Sequence, residues 1–202
     1  MESEPKGPPG GVLRRIVCSI GSNVGDRQSW LQFAVSAWAT TPGVVSLVAS
    51  SIYETAAVGA LAQADFLNAV VILTCELTAD EALTRAEEIE RAAGRTRIVP
   101  HGPRTLDIDL IDVAVVGTDG RLSPEHHDTP RLTLPHPRAQ ARAFVLVPWE
   151  EIDPTARLKD RPLAAWLGEV ADQTIRWVGN TLFVPMEQPP VVGEALPGDG
   201  QR

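Results

Sequence analysis

The stretches VVSLVASSIYET (residues 44–55) and FLNAVVILTCEL (residues 66–77) decide the fold. Both are rich in Val, Ile and other strand formers, and a loop around Gly59 and Gln63 joins them, so they read as two consecutive strands with no helix between. Upstream, LRRIVCSI (residues 13–20) reads as a strand ended by Gly21-Ser22-Asn23. Asp26 is placed to cap a helix running to about Ala39, because Trp30, Leu31, Ala34, Val35 and Trp38 recur at spacings of three and four. Pro42-Gly43 then breaks the chain. Downstream, Thr78-Ala79-Asp80-Glu81 is a capping-box pattern. The helix after it carries Ala82, Ala86, Ile89 and Ala93 on one face, and Gly94 is placed to stop it. Residues 105–116 form a further strand, Pro135-His136-Pro137 interrupts, and residues 143–152 and 162–171 look helical. The order β-α-β-β-α-β favours an α+β, ferredoxin-like βαββαβ sandwich with a C-terminal extension over a doubly wound sheet.

The composition sets the outer bounds. The 202 residues include 18 Lys+Arg against 26 Asp+Glu, a net charge of −8, and are 44% hydrophobic. So much apolar residue excludes disorder as the main state. No apolar run reaches the length of a membrane span, and the polar N-terminus MESEPKGPPGG lacks the apolar core of a secretory signal. A cytoplasmic protein with no membrane partner is expected. Residues 1–11 and 187–202 read as mobile tails around a single domain at 12–186. Cys18 and Cys75 lie in apolar strand-like runs, as two buried thiols of a reducing compartment would. The acidic total argues against nucleic acid as a partner. Lysine occurs only at Lys6 and Lys159, and the other 16 cations are arginine, the side chain that grips phosphate bidentately.

GPRTLDIDLI (residues 102–111) carries the strongest chemical signal. Side chains alternate along a strand, so Leu106, Ile108 and Leu110 face the core while Thr105, Asp107 and Asp109 share the other face. Two carboxylates about 7 Å apart can converge on a hard divalent cation, which also relieves their repulsion. An exposed face that happens to carry two acids is the alternative. Arg95, Arg97 and Arg104 close by tilt the balance, since a polyphosphate–Mg²⁺ complex needs acids for the metal and guanidiniums for the remaining charge. No P-loop, dinucleotide fingerprint, C-x-x-C, H-E-x-x-H or G-x-S-x-G motif is present. Gly21-Ser22-Asn23-Val24-Gly25 reads as a tight turn rather than a phosphate cradle, and His126-His127 as surface histidines. His136, before Arg138 and Arg142, is a further candidate.

Taken with GSN (21–23), FLNAVV (66–71), ERAAGR (90–95) and LPHPRAQARAFVLVPW (134–149), the GPRTLDIDLI run resembles the 6-hydroxymethyl-7,8-dihydropterin pyrophosphokinase family of folate biosynthesis. The resemblance covers about residues 13–155 in order. It implies transfer of pyrophosphate from ATP to the pterin hydroxymethyl group, with release of AMP, by a ferredoxin-like monomer using two Mg²⁺ ions. By similarity Asp107 and Asp109 match the metal ligands, and Arg95 and Arg104 the arginines that act on the phosphates. Glu87, Glu90, Arg97, His101, Ile108, Arg131, His136 and Arg142 fall at the ATP site. Thr55, Ala56, Val58, Phe66, Asn68, Asp107 and Phe144 fall at the pterin site, with Phe66 and Phe144 sandwiching the ring and Asn68 reading its polar edge. Ala56-Ala57 stand where the family commonly has proline, and His101 where some members carry tryptophan. A binding protein of the same fold without turnover, another Mg²⁺-dependent phosphoryl or nucleotidyl transferase, and a nucleic-acid-binding module are the competing readings. Pterin-dependent conversion of ATP to AMP separates them.

Overall fold

A computed structural model describes residues 11–57, 63–95 and 102–184. Both expected tails, apart from residue 11 at their inner edge, lie outside the described residues. Helices and antiparallel strands are mixed. The strands of the main sheet are β1 (Arg14–Ser22), β2 (Val44–Ala49), β3 (Ser51–Thr55), β4 (Phe66–Cys75), β5 (Asp107–Val116), β6 (Leu122–Pro124) and β7 (Arg176–Thr181). The helices are α1 (Arg27–Ala39), α2 (Ala79–Ala92), α3 (Ala143–Ile152) and α4 (Leu163–Leu167). The seven strands form one sheet in the order β7-β3-β4-β1-β5-β6, with β2 also paired to β4. All of these pairings are antiparallel. None of the described helices is long and apolar enough to cross a membrane.

Local chemistry sets the element ends. Asp26 caps α1 by accepting from the Ser29 N–H at 3.1 Å. Thr78 and Glu81 form the reciprocal capping box of α2: the Glu81 carboxylate accepts from the Thr78 N–H at 2.8 Å and the Thr78 hydroxyl from the Glu81 N–H at 3.3 Å. Gly94, at φ +73°, ends α2 in the left-handed region that disfavours a side chain. The expected single strand over residues 44–55 is broken at Ser50. This buried serine donates its backbone N–H to the Val70 carbonyl at 2.9 Å, and its hydroxyl, in place of its carbonyl, accepts from the Val70 N–H at 2.9 Å. The expected strand 105–116 starts only at Asp107, because the Arg104 backbone bonds to Asn23 instead of entering the ladder. The helix expected at 162–171 is the short α4 followed by a 3₁₀ turn at Gly168–Val170.

Two cores flank the sheet. On one side α1 and α2 bury Leu31, Trp38, Ala82, Ala86 and Ile89 against Ile16, Cys18, Ile20, Leu73, Ile108 and Leu110. On the other, α3 and α4 pack Val145, Leu146, Trp149 and Leu163 against Val17, Val70 and Ile111. A β-bulge leaves Ile111 unpaired between Leu110 and Asp112 in the β1–β5 register. Cys18 and Cys75 are free and buried, and burial pushes both thiols up from their ordinary pKa. This second core covers only part of its face. Beyond Val17 and Val70, the same face continues through positions 19 and 21 of β1, 66 and 68 of β4, 53 and 55 of β3, and 107 and 109 of β5.

Candidate active site

The candidate residues collect on that uncovered part of the sheet. Register places Asp107 beside Gly21, Gly21 beside Asn68, and Asn68 beside Tyr53, in one row across β5, β1, β4 and β3. The next row holds Asp109 and Ser19. Paired residues of an antiparallel sheet point to the same side, so both aspartates and Asn68 share the α3 face.

Guanidiniums hold the two carboxylates from opposite sides. Arg95, just past the end of α2, pairs with Asp107 at 2.6 Å and with Glu90. Arg104 binds the second oxygen of Asp107. Arg142, immediately before α3, donates to Asp109 at 2.9 Å, and its guanidinium lies 5.4 Å from the centroid of the Phe144 ring. Glu90 is buried, and its carboxylate also accepts from the Ile108 N–H at 2.7 Å, which fixes the end of α2 against β5. The Ile108 side chain belongs to the α1/α2 core. Three acids and three arginines thus lie together without a net charge. A cleft of about 250 Å³ opens beside them, lined by Glu87, Glu90, Arg91 and Arg95. Arg131 reaches the middle of α2, pairing with Glu87 at 2.9 Å and with the Thr84 hydroxyl at 3.1 Å.

His136 is tied to β5 by its backbone N–H, which donates to the Ile111 carbonyl at 2.8 Å. Its ring Nδ1 accepts from the Arg138 N–H at 3.2 Å. Burial lowers its pKa, the cations Arg142, Arg138 and Lys159 lower it further, and Asp109 opposes them.

On the other side of Gly21, the Asn68 amide donates to the Thr55 hydroxyl at 2.9 Å and leaves its carbonyl oxygen over Gly21. A Cβ at Gly21 would meet that oxygen at 3.2 Å and the Phe66 ring at 3.8 Å, so glycine keeps this floor flat. Phe66 is half-buried at the start of β4, and Phe144 packs against the α3 core on the same face. Ala56 is exposed just past β3. Val58, Arg97 and His101 lie outside the described residues.

Residues 17–154 match the family of 7,8-dihydro-6-hydroxymethylpterin-pyrophosphokinase (HPPK). The chain belongs to this pyrophosphokinase family. It is 43% identical to the 2-amino-4-hydroxy-6-hydroxymethyldihydropteridine pyrophosphokinase of Mycobacterium tuberculosis over 165 residues, covering 78% of this chain and 85% of that one. It is 40% identical to the Bacillus subtilis enzyme of the same name over 134 residues, covering 66% and 75%. Among solved structures, the Plasmodium falciparum HPPK-DHPS A437G with SDX-DHP is similar, with a TM-score of 0.57 over 81% of this chain and 46% of that longer one. At 11% identity that likeness bears on the fold.

Several residues around this row have no site role in the sequence reading. Gly21 and Asn23 read from sequence as part of a turn and of the GSN segment in the resemblance, with no contact of their own; the available signal is their place at the end of the first strand. Asn23 is buried and bonds both to Arg104 and to the segment before Phe66. Arg27 donates to the Asp65 carbonyl at 2.6 Å and to Glu54 at 3.0 Å, and Glu54 also holds Arg176 of β7. Thr105, expected on the acid face, has its hydroxyl oxygen buried without a hydrogen-bond partner among the described residues.

Proposed function

We propose that Asp107 and Asp109 hold the divalent cation accompanying ATP, that Arg95 and Arg104 act on the phosphates during transfer, and that Asn68, Phe66 and Phe144 hold the pterin. The reaction is that of the family: pyrophosphoryl transfer to the hydroxymethyl group of 6-hydroxymethyl-7,8-dihydropterin in folate biosynthesis. The observation that carries the site assignment is the row Asp107–Gly21–Asn68. Adjacent strands lie about 4.8 Å apart, so the acid that would anchor phosphate and the amide that would read the ring are about 10 Å apart across the sheet. A pterin lying between them directs its hydroxymethyl group at the phosphate end.

The donor set fits a hard cation. Two carboxylates side by side offer oxygen ligands, and ATP oxygens and water would complete the shell. Among the described residues no three His, Cys, Asp or Glu side chains form a ligand set. Bound Mg²⁺ would mask phosphate charge and lower the barrier to nucleophilic approach. The protein's own part is alignment and charge neutralisation. Arg95, Arg104 and Arg142 are now paired to carboxylates, and polyphosphate would draw them across to its oxygens. The hydroxymethyl oxygen then attacks the β-phosphorus in line. Its proton leaves to solvent, the bond between the β-phosphorus and the α,β-bridging oxygen breaks, and AMP departs. Glu87, His136 and Arg131 line the nucleotide side in this reading, with the cleft beside α2 as the entry.

The strand order β3-β4-β1-β5, with α1 and α2 on one face, supports the ferredoxin-like description. A cytoplasmic monomer in a single domain over residues 12–186 completes the proposal, and light scattering after size exclusion tests its mass.

The deciding experiment measures AMP release from ATP with and without 6-hydroxymethyl-7,8-dihydropterin at saturating Mg²⁺. Pterin-dependent AMP is expected, and binding without turnover overturns the reading. Arg95→Ala should lower kcat by about 10²-fold with less change in ATP affinity, and a loss confined to affinity removes its transition-state role.

A further inference from the structure

Asn23 is 4% exposed and uses its amide in both directions. Its side-chain oxygen accepts from the Arg104 N–H at 2.7 Å, and its own N–H donates to the Arg104 carbonyl at 3.1 Å, so the Arg104 backbone is bracketed. Its side-chain nitrogen donates to the Gln63 side-chain oxygen at 3.2 Å and to the Ala64 carbonyl at 3.3 Å. One side chain therefore joins two segments that no strand pairing joins directly. Residue 104 leads into Asp107 on β5, and residues 63–65 lead into Phe66 and Asn68 on β4. Strand β1 lies between β4 and β5, and Asn23 extends from its end.

We infer that Asn23 is a positioning residue that sets Arg104 in register with the pterin-holding segment. This inference rests on the proposed function. Arg104 is pinned at its backbone by Asn23 and at its guanidinium by Asp107. When the guanidinium leaves Asp107 for phosphate, the Asn23 bonds are what keep its backbone fixed relative to the ring site. A shift of about 1 Å in a reacting group's alignment can slow transfer by about 10²-fold, so the coupling is read in kcat.

Two variants separate the halves of the amide. Asn23→Asp keeps an acceptor for the Arg104 N–H but turns a second oxygen toward the Ala64 carbonyl, which can only accept, breaking that pterin-side bond alone; the Gln63 amide can turn its nitrogen to the new oxygen. Asn23→Ala removes both halves of the side chain. The measurements are kcat, both KM values, pterin affinity by fluorescence quenching, and melting temperature. For Asn23→Asp we expect weaker pterin binding, by about tenfold, with the ATP KM within about twofold of the parent. For Asn23→Ala we expect the same pterin loss and, in addition, a fall in kcat of about 10- to 100-fold. A merely structural role predicts instead a lower melting temperature, with kcat per folded molecule and both KM values unchanged; that outcome overturns the inference. If Asn23→Ala does not fold, Asn23→Asp decides alone: unchanged pterin affinity overturns the coupling, and selective loss supports it. A parent protein without pterin-dependent AMP release overturns the reaction itself, whereas an active parent with indifferent variants overturns only the coupling.

Discussion

Strand β5 presents Ile108 and Leu110 to one side of the sheet and Asp107 and Asp109 to the other. The first side is covered by α1 and α2, and its residues are buried among apolar neighbours. The second is covered by α3 only as far as Val17, Val70 and Ile111, and past that line the same strands carry carboxylates, an amide and a glycine. On the proposed assignment, stability and chemistry occupy alternate residues of a single strand. Neighbours in sequence should answer mutation in opposite ways.

The largest effect is expected on the uncovered side. Asp109→Ala should reduce pyrophosphoryl transfer by about 10³-fold while the melting temperature changes little, since the half-exposed carboxylate contributes little to packing. Normal turnover in this variant and in Asp107→Ala would remove the metal assignment. One residue along, Leu110→Ala should do the reverse. Losing a 4% exposed leucine from the α1/α2 core costs about 2–5 kcal/mol in denaturant unfolding, with kcat per folded molecule retained. If both substitutions cost activity and stability alike, the division between the faces fails.

Asp112 tests the boundary. It pairs with Val17 and so lies on the α3 side, but under cover rather than in the open row. Burial pushes its carboxyl pKa up to about 6, against the partial compensation of Arg15 and His126. Between about pH 4 and pH 6 the folded state therefore holds a proton that the unfolded chain has released, and stability falls as pH rises through that window. Asp112→Asn should remove the fall, stabilising the protein at pH 7 by up to about 3 kcal/mol and not at all below pH 4. Equal gains at both pH values would show that the buried charge is not the cause. The smallest effect belongs to the far end of the apolar side. Thr78→Ala breaks the capping box of α2 and should cost about 0.5–2 kcal/mol, measured as a shift in the urea midpoint with transfer unaffected.

Much of this was legible in the chain. The alternation in LDIDL assigned each residue of β5 to its side, because a strand's period of two needs no tertiary information. The Thr78–Glu81 box and the Gly94 stop were legible because capping bonds close within a few residues. Gly21 and Asn23 were not. Their roles depend on Asn68, residue 64 and Arg104, partners between 41 and 81 positions away that only the sheet brings near. The break at Ser50 was hidden for the same reason, since it depends on Val70 of the neighbouring strand. Strand β7 gave no sign in a C-terminal stretch that reads as irregular, because its pairing with β3 comes from a free sheet edge rather than from its own periodicity.

The chain alone carried the alternation of strands and helices from β1 to β5, the two sides of β5 and the residue types available for phosphate, metal and ring, since these follow from local backbone geometry and side-chain chemistry. The tertiary structure alone decided which part of the sheet α3 leaves uncovered, which arginine holds which acid, and that Asn23 joins Arg104 to the segment before Phe66. Those are outcomes of strand register and of packing between distant segments, and no local window of the chain contains both partners.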